Sequence, residues 1–211
     1  RVYESQLNNN EYLEEIPNSV PLINASKVSG RLNNGLGIAV FNGITAAQTG
    51  KAIDSETNTE RDFTISPLSN YNVLVLDQNL KNNSFLTFTN TNVWRSGDFY
   101  DANVSGLKAS FNTKNNDYYI SGQGVLSAIL ESTETSLGHT WGIETGKQRG
   151  DFTFRAEYYE ESDTYDPNDL GFLRANNSRV AEANIGYRNF KPNFWNLNKF
   201  QSNFSVNYER L

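Results

Sequence analysis

The sequence predicts an all-β chain: an antiparallel up-and-down transmembrane β-barrel, of about ten strands and a fragment of a larger barrel. Three observations predict it. Segment after segment alternates apolar and polar side chains with period two, the signature of a strand. Most segments run roughly ten residues or more, where globular strands centre on about 5–6 and a tilted membrane-crossing strand needs about 9–11. The connections alternate between short and long, so tight turns collect at one end of the sheet and larger loops at the other.

The chain has 211 residues, a net charge of -6, no Cys and no Met. Starting at Arg1 without any Met, it reads as a processed or truncated product. No run approaches the roughly 18 apolar residues of a membrane-spanning helix. The mean hydropathy of -0.61 fits a barrel as well as a soluble chain, because barrels carry their apolar residues at alternate positions. A sequence pI near 4.9 argues against a nucleic-acid partner, which calls for a basic surface. No disulfide or thiolate metal site can form.

Residues 1–21 are a polar lead-in, in which "EYLEEIPN" suggests a short helical turn stopped by Pro17. Strands are expected near 22–31, 35–45, 69–79, 84–95, 101–113, 117–130, 137–147, 151–161, 179–189 and 200–210, so residues 22–211 form one set of barrel strands. The first is followed by Asn33-Asn34-Gly35, which tolerate positive φ and make a turn. In the second, Leu36, Ile38, Val40 and Ile44 share a face and Asn42 interrupts it. The opposite face is Gly35, Gly37, Ala39, Phe41 and Gly43, uncharged and small except for Phe41. Strands 69–79 and 84–95 are ambiguous, since Tyr71, Val73 and Val75 compete with Leu74 and Leu76. The connection 46–68 is long and polar, as is 162–178; 189–199 is too long for a tight turn.

Solvent decides which face points where. An ionised side chain facing hydrocarbon costs about 2–4 kcal/mol at mid-bilayer for Lys or Arg. Glu144, Arg155, Glu157, Glu182 and Arg188 are therefore expected to face a lumen. Leu36, Ile38, Val40, Trp141, Phe152, Phe154 and Ile185 are expected to face lipid. Tyr158, Tyr187 and Tyr208, near strand ends, suit an interfacial girdle.

"NASKVSGRLNNGLGIAVFNGIT", "NYNVLVLDQNLKNNSFLTFTNTNVWR", "DANVSGL" and "YDPNDLGFLRANN" together resemble a Bacteroidetes-type outer-membrane barrel family of unknown function. Its members usually place a family-9-like carbohydrate-binding module ahead of a large C-terminal barrel. The resemblance covers about Asn24 to Asn177 and implies an exported outer-membrane barrel, with a hint of surface polysaccharide and no catalytic residues to carry over. The chain stops inside a strand pattern without a terminal aromatic, and an open sheet edge is not tolerated in lipid. Further strands of its own chain or a partner are thus expected. The remaining partners implied are the lipid bilayer with its lipopolysaccharide and other envelope proteins.

Catalytic and metal chemistry find little support. His139 is the only histidine; most transition-metal sites want more than one imidazole, and on the face of Leu137 and Trp141 near a strand end it is expected to be interfacial rather than the base of a triad. Asp163, Asp166, Asn168 and Asp169 could offer oxygen ligands to Ca²⁺. However, Leu170 breaks the calcium-loop pattern, and Pro167 with Gly171 reads as an ordinary turn. Glu157 and Asp163 make a remote glycosidase pair. No nucleotide fingerprint exists and no cofactor is expected. The sequence thus favours a non-enzymatic outer-membrane channel, transporter or structural member of an envelope complex. A soluble β-barrel or sandwich binding carbohydrate through Trp and Tyr is the alternative, and an outer-membrane enzyme with an acid/base pair in its loops is a third reading.

Overall fold

Ten long strands form one antiparallel sheet. They are β2 (Leu22–Arg31), β3 (Leu36–Thr45), β6 (Ser69–Asn79), β7 (Phe85–Arg95), β8 (Asp101–Asn112), β9 (Tyr118–Leu130), β10 (Thr135–Lys147), β11 (Phe152–Glu161), β12 (Arg179–Asn189) and β13 (Phe200–Arg210). The computed structural model describes residues 7–13, 19–190, 192 and 197–211. Each long strand pairs with the next in sequence, from β2 at one edge to β13 at the other. β2 and β13 are not paired with each other, so among the described residues the sheet is open.

The short turns take their shape from residues that accept the left-handed conformation. Gly35 sits at φ 87°, Asn82 and Asn83 at 59° and 57°, Asn116 at 55° and Gly150 at 90°. Asn and Gly pay least for this backbone, which explains the heavy use of Asn in these connections.

Two expectations are corrected. The connection 46–68 is not a loop: it holds β4 (Gln48–Asp54) and β5 (Glu60–Ser66), an antiparallel hairpin. The lead-in does not begin a helical turn, since Glu11–Leu13 form β1, which adds to β4; the rest of "EYLEEIPN" lies outside the described residues. This three-stranded sheet has its own small core of Ala52, Phe63 and Ile65, with Leu7 and Leu13 against it. Asp54 closes the hairpin turn by accepting the Glu56 and Thr57 N–H groups, both at 2.9 Å. The Arg61 guanidinium, helped by the Asn8 N–H, holds the Glu11 carboxyl down to about 2. Residues 191 and 193–196 of the connection 189–199 lie outside the described residues.

Register gives the large sheet its geometry. The row through Leu36 on β3 passes Gln78, Leu86, Ala109, Gly122, Ile143, Tyr158 and Ala181 to Tyr208 on β13. Leu36 opens β3, whereas β13 opens at Phe200, eight residues before Tyr208. The sheet is therefore staggered by one residue per strand. A rise of about 3.3 Å against a strand spacing of about 4.8 Å gives a tilt near 35°, the angle at which strands lie in closed barrels.

Candidate functional site

The two faces of the sheet define the site. On one face Ile38 pairs with Leu76, then Phe88, Leu107, Gly124 and Trp141 follow along the row. Leu36, Val40, Phe152, Phe154 and Ile185 lie on that same face. Beyond Trp141 the row meets Glu160, Arg179 and Arg210. The change of character follows from the tilt: a row climbs as it crosses the sheet. Corrected for one residue per strand, the apolar residues form a level band from Leu36–Val40 on β3 to Phe200–Phe204 on β13. Aromatic rings border it. Trp141 and Tyr158 touch at 5.1 Å between centroids on the side of the long connections, and Tyr208 lies in the row of Tyr158 two strands on. Tyr187 and Phe200 meet at 6.2 Å on the side of the short turns, near Phe152 and Tyr118. The band is open to its surroundings: Val40, Leu107, Ile185 and Phe204 are all among the exposed large apolar residues.

The opposite face is polar from β8 to β13. Glu144, Glu157 and Glu182 form one row across β10, β11 and β12. Arg155 joins the first two, donating to Glu144 at 2.9 Å and to Glu157. The Tyr119 hydroxyl also donates to Glu144. Arg188 is on this face as well, paired with Gln201 and lying 5.1 Å over the Phe190 ring. Like carboxylates directly opposite one another repel, and one guanidinium between two of them offsets part of that cost.

The ambiguous strand β6 is settled by its partners. Leu74 and Leu76 pair with Val40 and Ile38, which sends Tyr71, Val73 and Val75 to the face of Gly43, Phe41 and Ala39. The small residues there are seats for larger neighbours. A Cβ at Gly43 would lie 3.2 Å from the tip of the Phe41 ring, and one at Gly37 would lie 3.0 Å from the Arg31 guanidinium. Phe41, the odd bulky residue on the small face, lies along its own strand over Gly43.

The connection 162–178 folds back over this second face. Asp166 N–H donates to Ser127 Oγ on β9 at 3.1 Å, and Thr164 Oγ1 to the Leu137 carbonyl on β10 at 2.8 Å. Asp169 reaches β7, where Arg95 donates to it; their side chains are 10% and 5% exposed. The Tyr100 ring lies 4.3 Å under the Arg95 guanidinium, and its hydroxyl donates to Asp169 at 3.3 Å. Burial, and then the Asp169 charge, push the Tyr100 hydroxyl above its ordinary pKa. Tyr165 is buried, and burial likewise raises its hydroxyl. The segment therefore reaches across the second face from β10 to β7, the face on which Val93, Ala102 and Thr140 are buried.

Of the four oxygen-bearing candidates for Ca²⁺, Asp166 and Asn168 are bonded to each other, Asn168 Nδ2 donating to Asp166 Oδ1 at 2.8 Å. Asp166 caps its own turn through the Asn168 N–H at 3.0 Å, Asp169 serves Arg95, and the Asp163 carbonyl accepts from Asn176. Among the described residues no group of three or more His, Cys, Asp or Glu side chains is placed to hold a metal ion. Glu157 stays mid-strand with Arg155, while Asp163 lies in the connection beyond β11. His139 is on the apolar face beside Leu126. Sequence reading missed Arg95, Tyr100 and Ser127; the one signal was Gly138, a bare position on the second face.

Gly138 makes the inward fold possible. A Cβ there would sit 2.3 Å from both the Thr164 carbonyl oxygen and the Tyr165 Cα, which are backbone atoms and cannot rotate away. Gly138→Val is expected to displace residues 162–178. Limited proteolysis of the folded chain checks it: cleavage within the segment should become faster, and an unchanged rate would mean the segment is not seated on Gly138.

Fold and site define an antiparallel all-β protein with one apolar face, one polar face and a connection folded onto the latter. The chain belongs to the family described as a domain of unknown function (DUF5916), whose model matches residues 1–211. No curated protein and no solved structure matches it.

Proposed function

We propose that this chain is wall of an outer-membrane β-barrel without catalytic activity, acting as a channel or as a structural member of an envelope complex. The observation that carries this reading is the level apolar band. A soluble protein rarely exposes contiguous apolar patches beyond a few hundred Å². Here twenty or so large apolar side chains share one exposed face, flanked by aromatic rings at the two levels where a bilayer meets water. The polar face then lines the lumen, with Glu144, Arg155, Glu157, Glu182 and Arg188 in contact with water. The segment 162–178 narrows the mouth on the side of the long connections. In such barrels that side is extracellular.

The edges of β2 and β13, unpaired among the described residues, fit the same picture. Long unpaired strands are a liability in water and are not tolerated in hydrocarbon, so further strands complete the wall. The test is detergent dependence. The purified chain should be monodisperse only in micelles or lipid. If it stays monodisperse in plain buffer, the membrane reading fails and a soluble carbohydrate-binding sheet takes its place.

A further inference from the structure

Directly above the apolar band, on the sector from β2 to β8, the outward face changes to a surface of amides. Asn42 and Asn72 occupy one row, continuing through Asn92 to Asn103. Asn70 and Asn90 lie in the rows on either side of it. They hold one another. Asn42 Nδ2 donates to Asn70 Oδ1 at 2.6 Å and to Asn72 Oδ1 at 2.8 Å. Asn90 Nδ2 donates to Asn103 Oδ1 at 3.2 Å and to Ser105 Oγ at 2.8 Å. Trp94 shares a row with Asn70 and is 54% exposed.

The chemistry of this surface is specific. No Lys or Arg occupies the outward positions of β2, β3, β6, β7 or β8, whereas β12 and β13 present Arg179 and Arg210 outward. A phosphate ligand would want cations or bidentate guanidinium groups. A primary amide instead carries both donors and acceptors, which match sugar hydroxyls that also do both. The ladder bonds fix the amides before any ligand arrives, which lowers the ordering cost of binding. Asn92 Oδ1 has no hydrogen-bond partner within the protein, although it is shielded from water. Trp94 supplies an exposed flat ring against which the apolar face of a pyranose can lie.

We propose that this amide surface with Trp94 binds neutral sugar units of an outer-leaflet glycolipid headgroup. This rests on the membrane placement above, which sets the asparagines at headgroup level. The sugar hydroxyls would bond the amides left over from the ladder, and the acyl chains would lie against Leu36, Ile38, Val40 and Leu74 below.

The test uses the chain in detergent micelles with three probes: lipooligosaccharide bearing neutral core sugars, the same lipid lacking its core sugars, and phosphatidylethanolamine. Native mass spectrometry reads the retained lipid. The sugar-bearing lipid should be retained roughly tenfold better than the other two. The paired change Asn72→Leu/Asn90→Leu, and separately Trp94→Ala, should remove that preference while detergent dependence is unchanged. Equal retention of the two glycolipids would overturn the proposal, as would a preference that survives both variants. So would a protein that copurifies through this face, is lost in the asparagine variant and leaves no glycolipid bound. Solubility in plain buffer would count against the membrane reading alone; free core oligosaccharide then decides the sugar site by the same variants.

Discussion

Ile185→Arg is expected to stop membrane assembly, while Asn184→Arg on the adjacent position is tolerated. The two residues are neighbours in β12 but lie on opposite faces, Ile185 between Phe154 and Phe204, Asn184 between Arg155 and Ser205. An arginine near the bilayer midplane on the lipid side of a barrel costs about 2–4 kcal/mol, and one in the lumen costs little because water reaches it. Ile185 sits well inside the apolar band, so the upper part of that range applies. Asn184→Arg also adds a charge within reach of Glu182 and Glu157, which carry more negative charge than Arg155 alone supplies. An assay of insertion into lipid vesicles, read by heat-modifiable mobility or protease protection, checks the pair. Equal tolerance of the two changes would reverse the assignment of faces.

Arg95→Ala is expected to release the inward-folded connection. Removing one partner of a buried ion pair leaves the other charge without compensation, at a cost of about 3–5 kcal/mol. Asp169 would keep only the Tyr100 hydroxyl, a long 3.3 Å contact. Moving the segment into water is the cheapest relief, so faster proteolysis within 162–178 and a larger single-channel conductance are expected together. The compensated change Arg95→Met/Asp169→Leu should behave much more like the original chain, because apolar replacements of a buried pair are often neutral. If Arg95→Ala leaves both readouts unmoved, the pair does not hold the segment.

The ten long strands were legible because period-two alternation runs for ten or more residues in most of them, and because Asn and Gly mark the tight turns. The side-chain placement in "DFTFRAEYYE" and "RVAEANIGYRN" followed from the same alternation. β4 and β5 were hidden because their seven-residue strands carry only a few apolar positions, Ala52, Ile53, Phe63 and Ile65, among Lys51, Glu60, Arg61 and Asp62. The third strand of their sheet, β1, comes from well before them in the sequence. β6 could not be assigned a face by itself, since both of its faces are apolar; the Gly and Ala of β3 decide it. The asparagine surface was invisible for another reason. Asn42, Asn72, Asn90 and Asn103 come together only once four strands are in register. The inward connection needed a contact between Arg95 and Asp169 that no local pattern encodes. What the sequence did carry there was the Asp-Pro-Asn turn, which the structure retains.

The register limits how many strands can complete the sheet. β2 and β13 point in opposite directions, because each of the nine pairings between them is antiparallel. Closure of such a sheet by antiparallel pairing alone would therefore admit only an even number of added strands. An odd number would force one parallel seam into an otherwise antiparallel cylinder.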